Sequence, residues 1–537
     1  MSLSLLSRYA FFVGCVLFTL LSLPFLHHEW LWPFTLVTGL LSLVGIFDLI
    51  QVPHSVRRNY PILGNIRYAV ETIRPEIRQY LLESDSDALP FSRAQRSLVY
   101  ARAKNESADK PFGTLIDVYQ TGFEFISHSM RPAPLADHNQ FRVTVGGPQC
   151  TQPYSASIFN ISAMSFGSLS ANAIRALNKG AKLGNFAHDT GEGSISPYHR
   201  ENGGDLTWEL GSGYFGCRTE DGRFDPEKFA RQAQDPQVRM IEIKMSQGAK
   251  PGHGGILPKH KVTREIADTR GIPMGEDCIS PSRHSAFSTP MEMMQFIAQL
   301  RELSGGKPVG FKFCLGHPWE FMGIAKAMLE TGILPDFIVV DGTEGGTGAA
   351  PVEFTDHMGV PMREGLLFVH NTLVGLNLRD KIKLGASGKI VSAFDIASVL
   401  AIGADWANSA RGFMFAIGCI QSQSCHTNKC PTGVATQDPL RQRALVVPDK
   451  AQRVYNFHRS TLHALAEMIA AAGLDSPNQL EAKHLVRRQS ATEVKLFSQS
   501  HVFLHPGQLL NGIVDDSFYS RMWRMARADS FEPNQID

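Results

Sequence analysis

Short apolar runs alternate with helical stretches through the middle of this chain, and that alternation restricts the fold more than any other feature. The clearest runs lie at Ile158–Ser165, Val238–Met245, Val309–Phe313, Phe337–Asp341, Ile382–Ala386 and Trp406–Ala410. Weaker runs lie at Asn185–Asp189 and Glu276–Ser280, and helical patterns separate the runs at Pro290–Leu303, Pro318–Thr331 and Ala393–Ile402. A strand followed by a helix, repeated in this way, predicts parallel strands.

Eight candidate strands, spread over about 250 residues, match the usual size of a closed (β/α)8 barrel. The predicted fold class is therefore α/β, with a TIM barrel at its centre. An open, doubly wound sheet is the alternative. Polar residues and glycines collect at the carboxyl ends of the candidate strands, where a barrel keeps its active site.

Two runs of 18 residues without a charge stand near the N-terminus, at Tyr9–Leu26 and Trp30–Phe47. Each reaches the length of about 18 residues needed to cross a membrane. A signal peptide would explain only the first run. Trp30 and Trp32 lie at the turn between the runs, where interfacial aromatic residues belong, so a transmembrane hairpin is favoured over an apolar hairpin buried in a soluble core.

Arginines flank this predicted hairpin on both sides: Arg8 precedes it, and Arg57, Arg58, Arg67, Arg74 and Arg78 follow it. Positive charge stays on the cytoplasmic side. We therefore expect a multi-pass protein of the inner (cytoplasmic) membrane, with a cytoplasmic catalytic domain and the turn His27–Glu29 outside. The predicted domains are two transmembrane helices (1–52), a helical connector (53–135), the barrel (136–475) and a C-terminal tail (476–537).

The overall charge and the cysteine content exclude other classes of protein. Lys and Arg number 52 against 51 Asp and Glu, for a net charge of +1. Without a basic excess, nucleic acid is not an expected partner. Eight cysteines among 537 residues are too few for a disulfide scaffold.

Glycine-bearing loops follow the last three candidate strands, at 341–350, Gly385–Ile390 and Asn408–Gly412. In barrels, a phosphate often binds between the loops after strands seven and eight, at the start of a helix. A helix is predicted from Ser392, and Lys389 and Arg411 would add positive charge. These loops predict a phosphorylated ligand rather than plain turns, while the absence of a G-x-x-x-x-G-K-[ST] motif argues against a P-loop.

Three cysteines cluster after the last candidate strand, as Cys419, Cys425 and Cys430, with Pro431 behind them. Cysteines this close in a cytoplasmic protein indicate metal or redox chemistry, and Cys followed by Pro occurs in bacterial iron–sulfur ligation. The alternatives are a zinc site that includes His426, although the spacing is poor, and three unrelated buried thiols. Three thiolates without a fourth nearby suit a cluster of three irons.

Five motifs together resemble the FMN-binding region of the large subunit of glutamate synthase. They are Gly418–Gln437 around the cysteines, Met164–Ser168, Thr190–Gly193, Ile243–Gly252 and Gly345–Ala349. The resemblance covers about residues 140–475 and is closest to stand-alone, glutamate synthase-like FMN proteins. It implies FMN, a 3Fe-4S cluster on the three cysteines, and reduction of 2-iminoglutarate, formed from 2-oxoglutarate and ammonia, to L-glutamate.

The resemblance also implies roles for individual residues. Gln247, Lys250 and Arg270 match the family's 2-oxoglutarate-binding positions. Lys244, at the end of the third candidate strand, is expected to be the cation near N1 of the reduced flavin, because a cation there would offset its negative charge. Glu192 is expected to guide ammonium or protonate the imine. Their ordinary alternatives are a surface lysine and a helix-capping carboxylate. The residues expected around FMN are Ser165, Gly345, Gly346, Thr347, Gly388, Lys389, Ala410 and Arg411.

The chain also departs from the full enzyme, because we find neither an N-terminal glutaminase nor a long β-helix-like C-terminal domain. We therefore expect it to use free ammonia or a separate glutaminase partner. It carries no recognisable NAD(P)H-binding domain, so the electron donor stays open between ferredoxin, a partner flavoprotein or reductase subunit, and a quinone-linked donor. Two other functions stay open: the same cofactors acting on a different imine or 2-oxo acid, and a non-catalytic electron-transfer module at the membrane.

Overall fold

The computed structural model describes residues 3–78, 82, 84, 90–511 and 517–535. The chain divides into two units, Met1–Asp87 and Ala88–Asp537. The division falls inside the predicted connector, of which residues 79–81, 83 and 85–89 lie outside the described residues. So do 512–516 and 536–537 of the predicted tail.

Eight parallel strands close into a barrel in the second unit. They are β1 (Phe159–Ile161), β2 (His188–Asp189), β3 (Leu206–Leu210), β4 (Val238–Lys244), β5 (Val309–Phe313), β6 (Phe337–Asp341), β7 (Lys383–Ser387) and β8 (Trp406–Ser409). Closure is made by β8 against β1, with Asn408 opposite Asn160. The predicted (β/α)8 barrel is confirmed, and the open sheet is excluded.

Two of the strand assignments need correction. Strand β3 was not predicted, because Thr207 and Glu209 interrupt its apolar pattern even though all its residues are buried. The predicted barrel strand Glu276–Ser280 is wrong: only Cys278–Ile279 is extended there, and it pairs antiparallel with Ile256–Leu257. Ile279 is 62% exposed, which a strand covered on both faces inside a parallel barrel does not allow. Lys244 therefore ends the fourth barrel strand rather than the third.

The helices of the second unit are Arg93–Lys104, Ala171–Gly184, Pro197–Arg200, Pro226–Ala233, Arg264–Arg270, Pro290–Leu303, Pro318–Thr331, Val352–His357, Met362–Gly375, Ala393–Ile402, Arg411–Ala416, Pro439–Gln442, Val447–Ala471, Phe497–Ser500 and Phe518–Met525. The three helices predicted between strands have the expected bounds. Their start signals explain this: Thr289 with Glu292 and Ser392 with Asp395 form capping boxes, which fix a helix start by satisfying its free N–H groups.

The predicted connector and tail meet in a three-stranded antiparallel sheet of Glu124–Ile126, Leu485–Arg488 and Val494–Leu496. A separate pair, Arg142–Val145 with Tyr154–Ser157, precedes the barrel. The end of the tail also contacts a barrel helix, because Met291 N donates to Ala528 O at 3.1 Å. The connector is thus helical only in part, and the tail belongs to the same folded unit as the barrel.

The first unit contains the helices Leu3–Ser22, Trp32–Ile50, Ser55–Asn59 and Leu63–Ile77. The first two pack together, with Thr19 Oγ1 donating to Thr38 Oγ1 at 2.9 Å and Thr35 Oγ1 donating to Ser22 Oγ at 2.8 Å. Their apolar windows, Arg8–Phe25 and Trp32–Ile50, are only 11% and 22% buried. A helix pair in a soluble core would bury far more of its apolar residues.

Candidate active site

The carboxyl ends of the barrel strands surround one cavity of about 380 Å³. Every site residue predicted from the sequence lines it, although their individual roles stay predictions. These residues are Ser165, Glu192, Lys244, Gln247, Lys250, Arg270, Gly345, Gly346, Thr347, Gly388, Lys389, Ala410, Arg411, Cys419, Cys425 and Cys430.

Lys244, at the end of β4, is held between two polar partners. Its Nζ lies 3.2 Å from Glu192 Oε1 and donates to Gln247 Oε1 at 3.1 Å. Ser280 Oγ donates to the other Glu192 oxygen at 3.3 Å. The Lys244 and Glu192 side chains are only 12% and 16% exposed, so Lys244 is not a surface lysine. Glu192 contacts the side chains of Lys244 and Ser280, which is not the arrangement of a helix-capping carboxylate.

The charges around Glu192 determine its protonation state. Burial acts to raise the pKa of the Glu192 carboxyl, but Lys244, Arg270 and Lys250 outweigh it and hold the pKa below its ordinary value. Glu192 is therefore ionised at neutral pH. A carboxylate can attract ammonium but has no proton to give to an imine, so the geometry favours the first of its two predicted roles.

Lys250 and Arg270 are both buried at the cavity wall. Lys250 Nζ donates to Ala349 O at 3.1 Å, and burial lowers the pKa of this lysine. Arg270 Nη2 donates to Phe166 O at 3.0 Å, while its buried Nε finds no acceptor among the described residues. With Lys244, these side chains give the wall three cationic groups, which suits an anionic ligand such as a dicarboxylate.

Lys389 and Arg411 form a second positive region of the cavity. Arg411 Nη2 donates to Glu344 O at 2.7 Å, and its guanidinium lies 4.7 Å from the centre of the Phe91 ring. Burial lowers the pKa of Arg411 to about 10 and lowers the pKa of Lys389 as well. No carboxylate in the described part of the chain forms an ion pair with either cation. Half-buried cations without such a partner fit a bound phosphate.

The loops around these cations explain the need for glycine at one position. A Cβ on Gly346 would lie 2.9 Å from Arg411 Nε, so glycine leaves room for the arginine. The predicted helix begins at Ala393, with Ser392 as its cap: Asp395 N donates to Ser392 Oγ at 3.1 Å, and Asp395 Oδ2 accepts from Ser392 N at 2.9 Å. Its part in binding a phosphate stays a prediction.

The three clustered cysteines line the same cavity, and all eight cysteines of the chain are free. Gln421 N donates to Cys419 Sγ at 3.5 Å, and Thr432 Oγ1 lies 3.5 Å from Cys430 Sγ. Burial acts to raise the pKa of Cys430, but surrounding N–H and hydroxyl donors hold it below its ordinary value. Donors aimed at the Cys430 sulfur stabilise its thiolate, which is the form that binds a metal. Burial instead raises the pKa of Cys425, and raises the pKa of Cys419 to about 12.

The spacing of the cysteine sulfurs distinguishes a zinc site from an iron–sulfur cluster in this segment. A tetrahedral zinc, with Zn–S bonds of about 2.3 Å, brings its ligand sulfurs to about 3.8 Å from one another. In the described part of the chain, only Asp189, Glu209 and Glu242 bring three potential ligand atoms within 4.8 Å of one another. The cysteines with His426 do not, which disfavours zinc. A cluster, whose thiolates bind different irons, tolerates wider spacing.

A charged group that the sequence analysis missed lies inside the barrel. Lys312, on β5, hydrogen-bonds to Glu209, on β3, and its Nζ lies 3.3 Å from Glu242 Oε1, on β4. The Asp189 carboxylate, on β2, lies within 4.8 Å of both glutamates. All four side chains are buried, and Glu209 and Lys312 line the cavity. A charge inside an otherwise apolar strand, as in Val309–Phe313, was the signal that could have found them.

One ammonium in this group faces three carboxyls. Burial raises the pKa of Asp189 well above its ordinary value, and Glu242 and Glu209 add to the effect. Burial likewise raises the pKa of Glu242, to about 7. The pKa of Lys312 is raised because its carboxylate neighbours outweigh its own burial. The barrel interior therefore holds a protonated lysine together with at least one protonated carboxyl at neutral pH.

Residues just before the barrel close the cavity beside the cysteines. Gln421 Oε1 accepts from Phe91 N at 3.2 Å, and Gln421 Nε2 donates to Phe91 O at 3.1 Å. Tyr100 OH donates to Cys419 O at 2.6 Å. The Phe91 and Phe415 rings meet edge to face at 5.3 Å. This part of the predicted connector is thus a wall of the site rather than a spacer.

Comparison with known proteins agrees with the geometry. Residues 136–475 match the family model described as a conserved region in glutamate synthase. The glutamate synthase large subunit-like protein YerD of Bacillus subtilis is 37% identical over 87% of this chain and 96% of its own length. An archaeal-type glutamate synthase [NADPH] of Thermotoga neapolitana is 34% identical over 59% of this chain and 60% of its own length. A mutant flavocytochrome b2 with bound pyruvate aligns at 12% identity over 85% of this chain and 92% of its own, with a TM-score of 0.41, which is too distant to inform function.

The raised pKa of Glu242 predicts a stability that depends on pH. Because its folded pKa, about 7, lies above the ordinary carboxyl value, its contribution to stability is complete below that ordinary value and is lost as the pH rises through about 7. Glutamine mimics the protonated carboxyl. The melting temperature of Glu242→Gln relative to the unmodified chain should therefore rise by roughly 2–4 °C between about pH 5.5 and pH 8.

The control is Glu353→Gln, which changes an exposed glutamate on the helix Val352–His357. Its melting temperature should stay at a constant offset from that of the unmodified chain across the same pH range. If Glu242→Gln behaves in the same way as this control, Glu242 is ionised in the folded protein and the assigned protonation is wrong.

Proposed function

The chain belongs to the glutamate synthase family of oxidoreductases, and we propose that it reduces 2-iminoglutarate, formed from 2-oxoglutarate and ammonia, to L-glutamate. One observation carries this proposal: the residues of the five family motifs gather around a single cavity that has two positive regions. One region suits the substrate carboxylates and the other suits a phosphate. Reduction of the C=N bond needs a hydride at carbon and a proton at nitrogen.

We propose that the cofactor is FMN, with its phosphate at Lys389 and Arg411. These two cations fit because they line the cavity, are half-buried and form no ion pair with a carboxylate in the described residues. When bound, FMN supplies the hydride. The loops that would enclose it carry Ser165, Gly345, Gly346, Thr347, Gly388 and Ala410. Lys244 would place positive charge where reduced flavin is negative, because its ammonium is held at the cavity by Glu192 and Gln247.

For the substrate, we propose that Lys250 and Arg270 bind the carboxylates and that Gln247 orients them. Arg270 is suited to this because its guanidinium is fixed by protein contacts and still has an unsatisfied N–H. Glu192, ionised beside Lys244, would attract ammonium towards the 2-oxo carbon. The buried walls around these groups exclude water, which strengthens each charged contact.

We propose that Cys419, Cys425 and Cys430 hold a 3Fe-4S cluster that passes electrons to the flavin. The support is the donor set: three free thiols on one cavity, with N–H or hydroxyl donors at Cys419 and Cys430. The relative from Thermotoga neapolitana carries NADPH in its name. For this chain we propose an external electron donor, either ferredoxin or a reductase subunit.

We further propose that the two N-terminal apolar helices anchor the chain in the inner membrane, with the catalytic unit in the cytoplasm. Their length, their low burial and the arginines that flank them support this.

The decisive test of the reaction is anaerobic reoxidation of the reduced, cofactor-loaded protein by 2-oxoglutarate with ammonium. Flavin absorbance reports reoxidation, and glutamate is quantified as the product. Arg270→Lys should raise the apparent dissociation constant for 2-oxoglutarate roughly tenfold to hundredfold, because loss of bidentate, charge-assisted bonds costs about 1.5–3 kcal/mol. Flavin content should not change.

Arg264→Lys is the matched control, because Arg264 is an exposed arginine on the same helix. It should leave the affinity for 2-oxoglutarate unchanged. An unaltered affinity in Arg270→Lys would remove Arg270 from the substrate site. Reoxidation by another 2-oxo acid, but not by 2-oxoglutarate, would assign the chain a different substrate, and no reoxidation by any of them would indicate an electron-transfer module.

Changing one cysteine should separate the two cofactors. Cys425→Ser should eliminate the iron and the EPR signal of the cluster while leaving stoichiometric FMN, because different loops carry the proposed phosphate site. Cys150→Ser is the control, since Cys150 is free but lies outside the cavity. Iron that persists at full stoichiometry after replacement of Cys419, Cys425 and Cys430 together would contradict the cluster.

Reporter fusions test the membrane topology. A reporter inserted in the turn His27–Glu29 should be extracytoplasmic, and one at the C-terminus should be cytoplasmic, because arginines lie on both sides of the hairpin. Complete release of the chain from membranes by high salt alone would instead mean that the helices do not span.

A further inference from the structure

The helix Leu63–Ile77 exposes an apolar stripe. Leu63, Ile66, Val70 and Ile73 recur at intervals of three and four residues, which places them on one helix face. They are 42%, 60%, 50% and 51% exposed. A stripe with this spacing usually faces a core, and here it is open. We call these four residues the 63–73 stripe.

Basic residues border the 63–73 stripe along one edge. At about 100° per residue, Arg67 and Arg74 follow the stripe on one side, and both are exposed. Arg67 pairs with Glu71 at 3.2 Å, a contact that leaves its side chain 63% exposed. The opposite face carries Tyr68 and Thr72. An apolar face bordered by arginines is typical of helices that lie in a membrane interface.

The start of this helix is fixed beside the end of the second apolar helix. Asp48 is buried in the last turn of Trp32–Ile50, and its Oδ2 accepts from Ile62 N at 2.9 Å and from the Asn65 amide. In addition, Arg57 stacks over the Tyr68 ring at 4.6 Å. If Trp32–Ile50 crosses a membrane, Leu63–Ile77 therefore begins at the level where that span leaves the hydrocarbon.

We infer that the helix Leu63–Ile77 lies along the cytoplasmic membrane surface, with the 63–73 stripe in the acyl boundary and Arg67 and Arg74 at the headgroups of anionic phospholipids. This inference rests on the proposed membrane anchor. The occupant is lipid because the helix starts at the end of a proposed span and because its border is cationic. Arginine side chains can keep their apolar stems in the boundary while the guanidinium reaches phosphate.

The test uses the full chain, reconstituted in phosphatidylcholine vesicles with or without phosphatidylglycerol, with the detergent-solubilised chain as reference. Hydrogen exchange read by mass spectrometry reports on peptides that cover 63–77. Phosphatidylglycerol vesicles should slow exchange in this helix by roughly five- to tenfold relative to detergent. Ile66→Glu combined with Val70→Glu should abolish that protection. Thr72→Glu, an acidic change at an exposed position on the opposite face, should retain it.

The arginines are tested separately by Arg67→Gln with Arg74→Gln, which should remove the difference between the two vesicle types. Equal exchange in vesicles and detergent, or protection that survives Ile66→Glu with Val70→Glu, would overturn the inference. Equal protection in both vesicle types would overturn the claim that Arg67 and Arg74 bind anionic headgroups. A chain that high salt releases from the vesicles refutes the proposed anchor, whereas a retained chain with an unprotected helix refutes only this inference.

Discussion

The inner faces of four neighbouring barrel strands depend on one buried ammonium group. Lys312 on β5 bonds to Glu209 on β3 and Glu242 on β4, and Asp189 on β2 completes the group. Loss of one partner of such a buried pair typically costs about 3–5 kcal/mol, because it leaves an uncompensated charge. The network therefore fixes the register of these strands. Lys244, paired in register with Lys312 at the end of β4, takes its position from it.

The same network balances the charge of the cavity. The cavity wall concentrates cations that repel one another: burial lowers the pKa of Lys250, and Lys244 adds to the effect. The carboxyls that contact Lys312 place negative charge inside the barrel, behind this wall, and offset part of the repulsion. Two of these carboxyls, Asp189 and Glu242, bind protons more tightly than an ordinary carboxyl, so the charge of the interior can change when an anionic ligand binds.

The alternation of apolar runs and helical stretches predicted the barrel but not the charged side chains in its interior. Apolar runs such as Val309–Phe313 and Phe337–Asp341 have the predicted bounds, because their apolar residues suit a buried strand and the single charge at Lys312 does not break the pattern. Strand β3 was not predicted because a glutamate such as Glu209 is usually a surface residue. Its partner Lys312 lies more than a hundred positions later in the sequence, and only the fold brings the two together. The cavity residues were predictable because loops at strand ends must meet once a barrel closes. Which of them pair, as Lys244 does with Glu192, follows only from the closed geometry.

Hydrogen bonds join Phe91 and Tyr100 to the cysteine segment. Among the described residues of the site, these bonds link the positions that lie farthest apart in the sequence. Gln421 satisfies both backbone groups of Phe91, and Tyr100 bonds to the carbonyl of Cys419 itself. Hydrogen bonds that link residues more than three hundred positions apart form only after the barrel and both segments have folded. The carbonyl of Cys419 therefore takes its hydrogen bond from Tyr100, in the segment that directly follows the N-terminal unit in sequence. Any displacement of that segment would move a proposed cluster ligand, so this part of the connector belongs to the proposed cluster site.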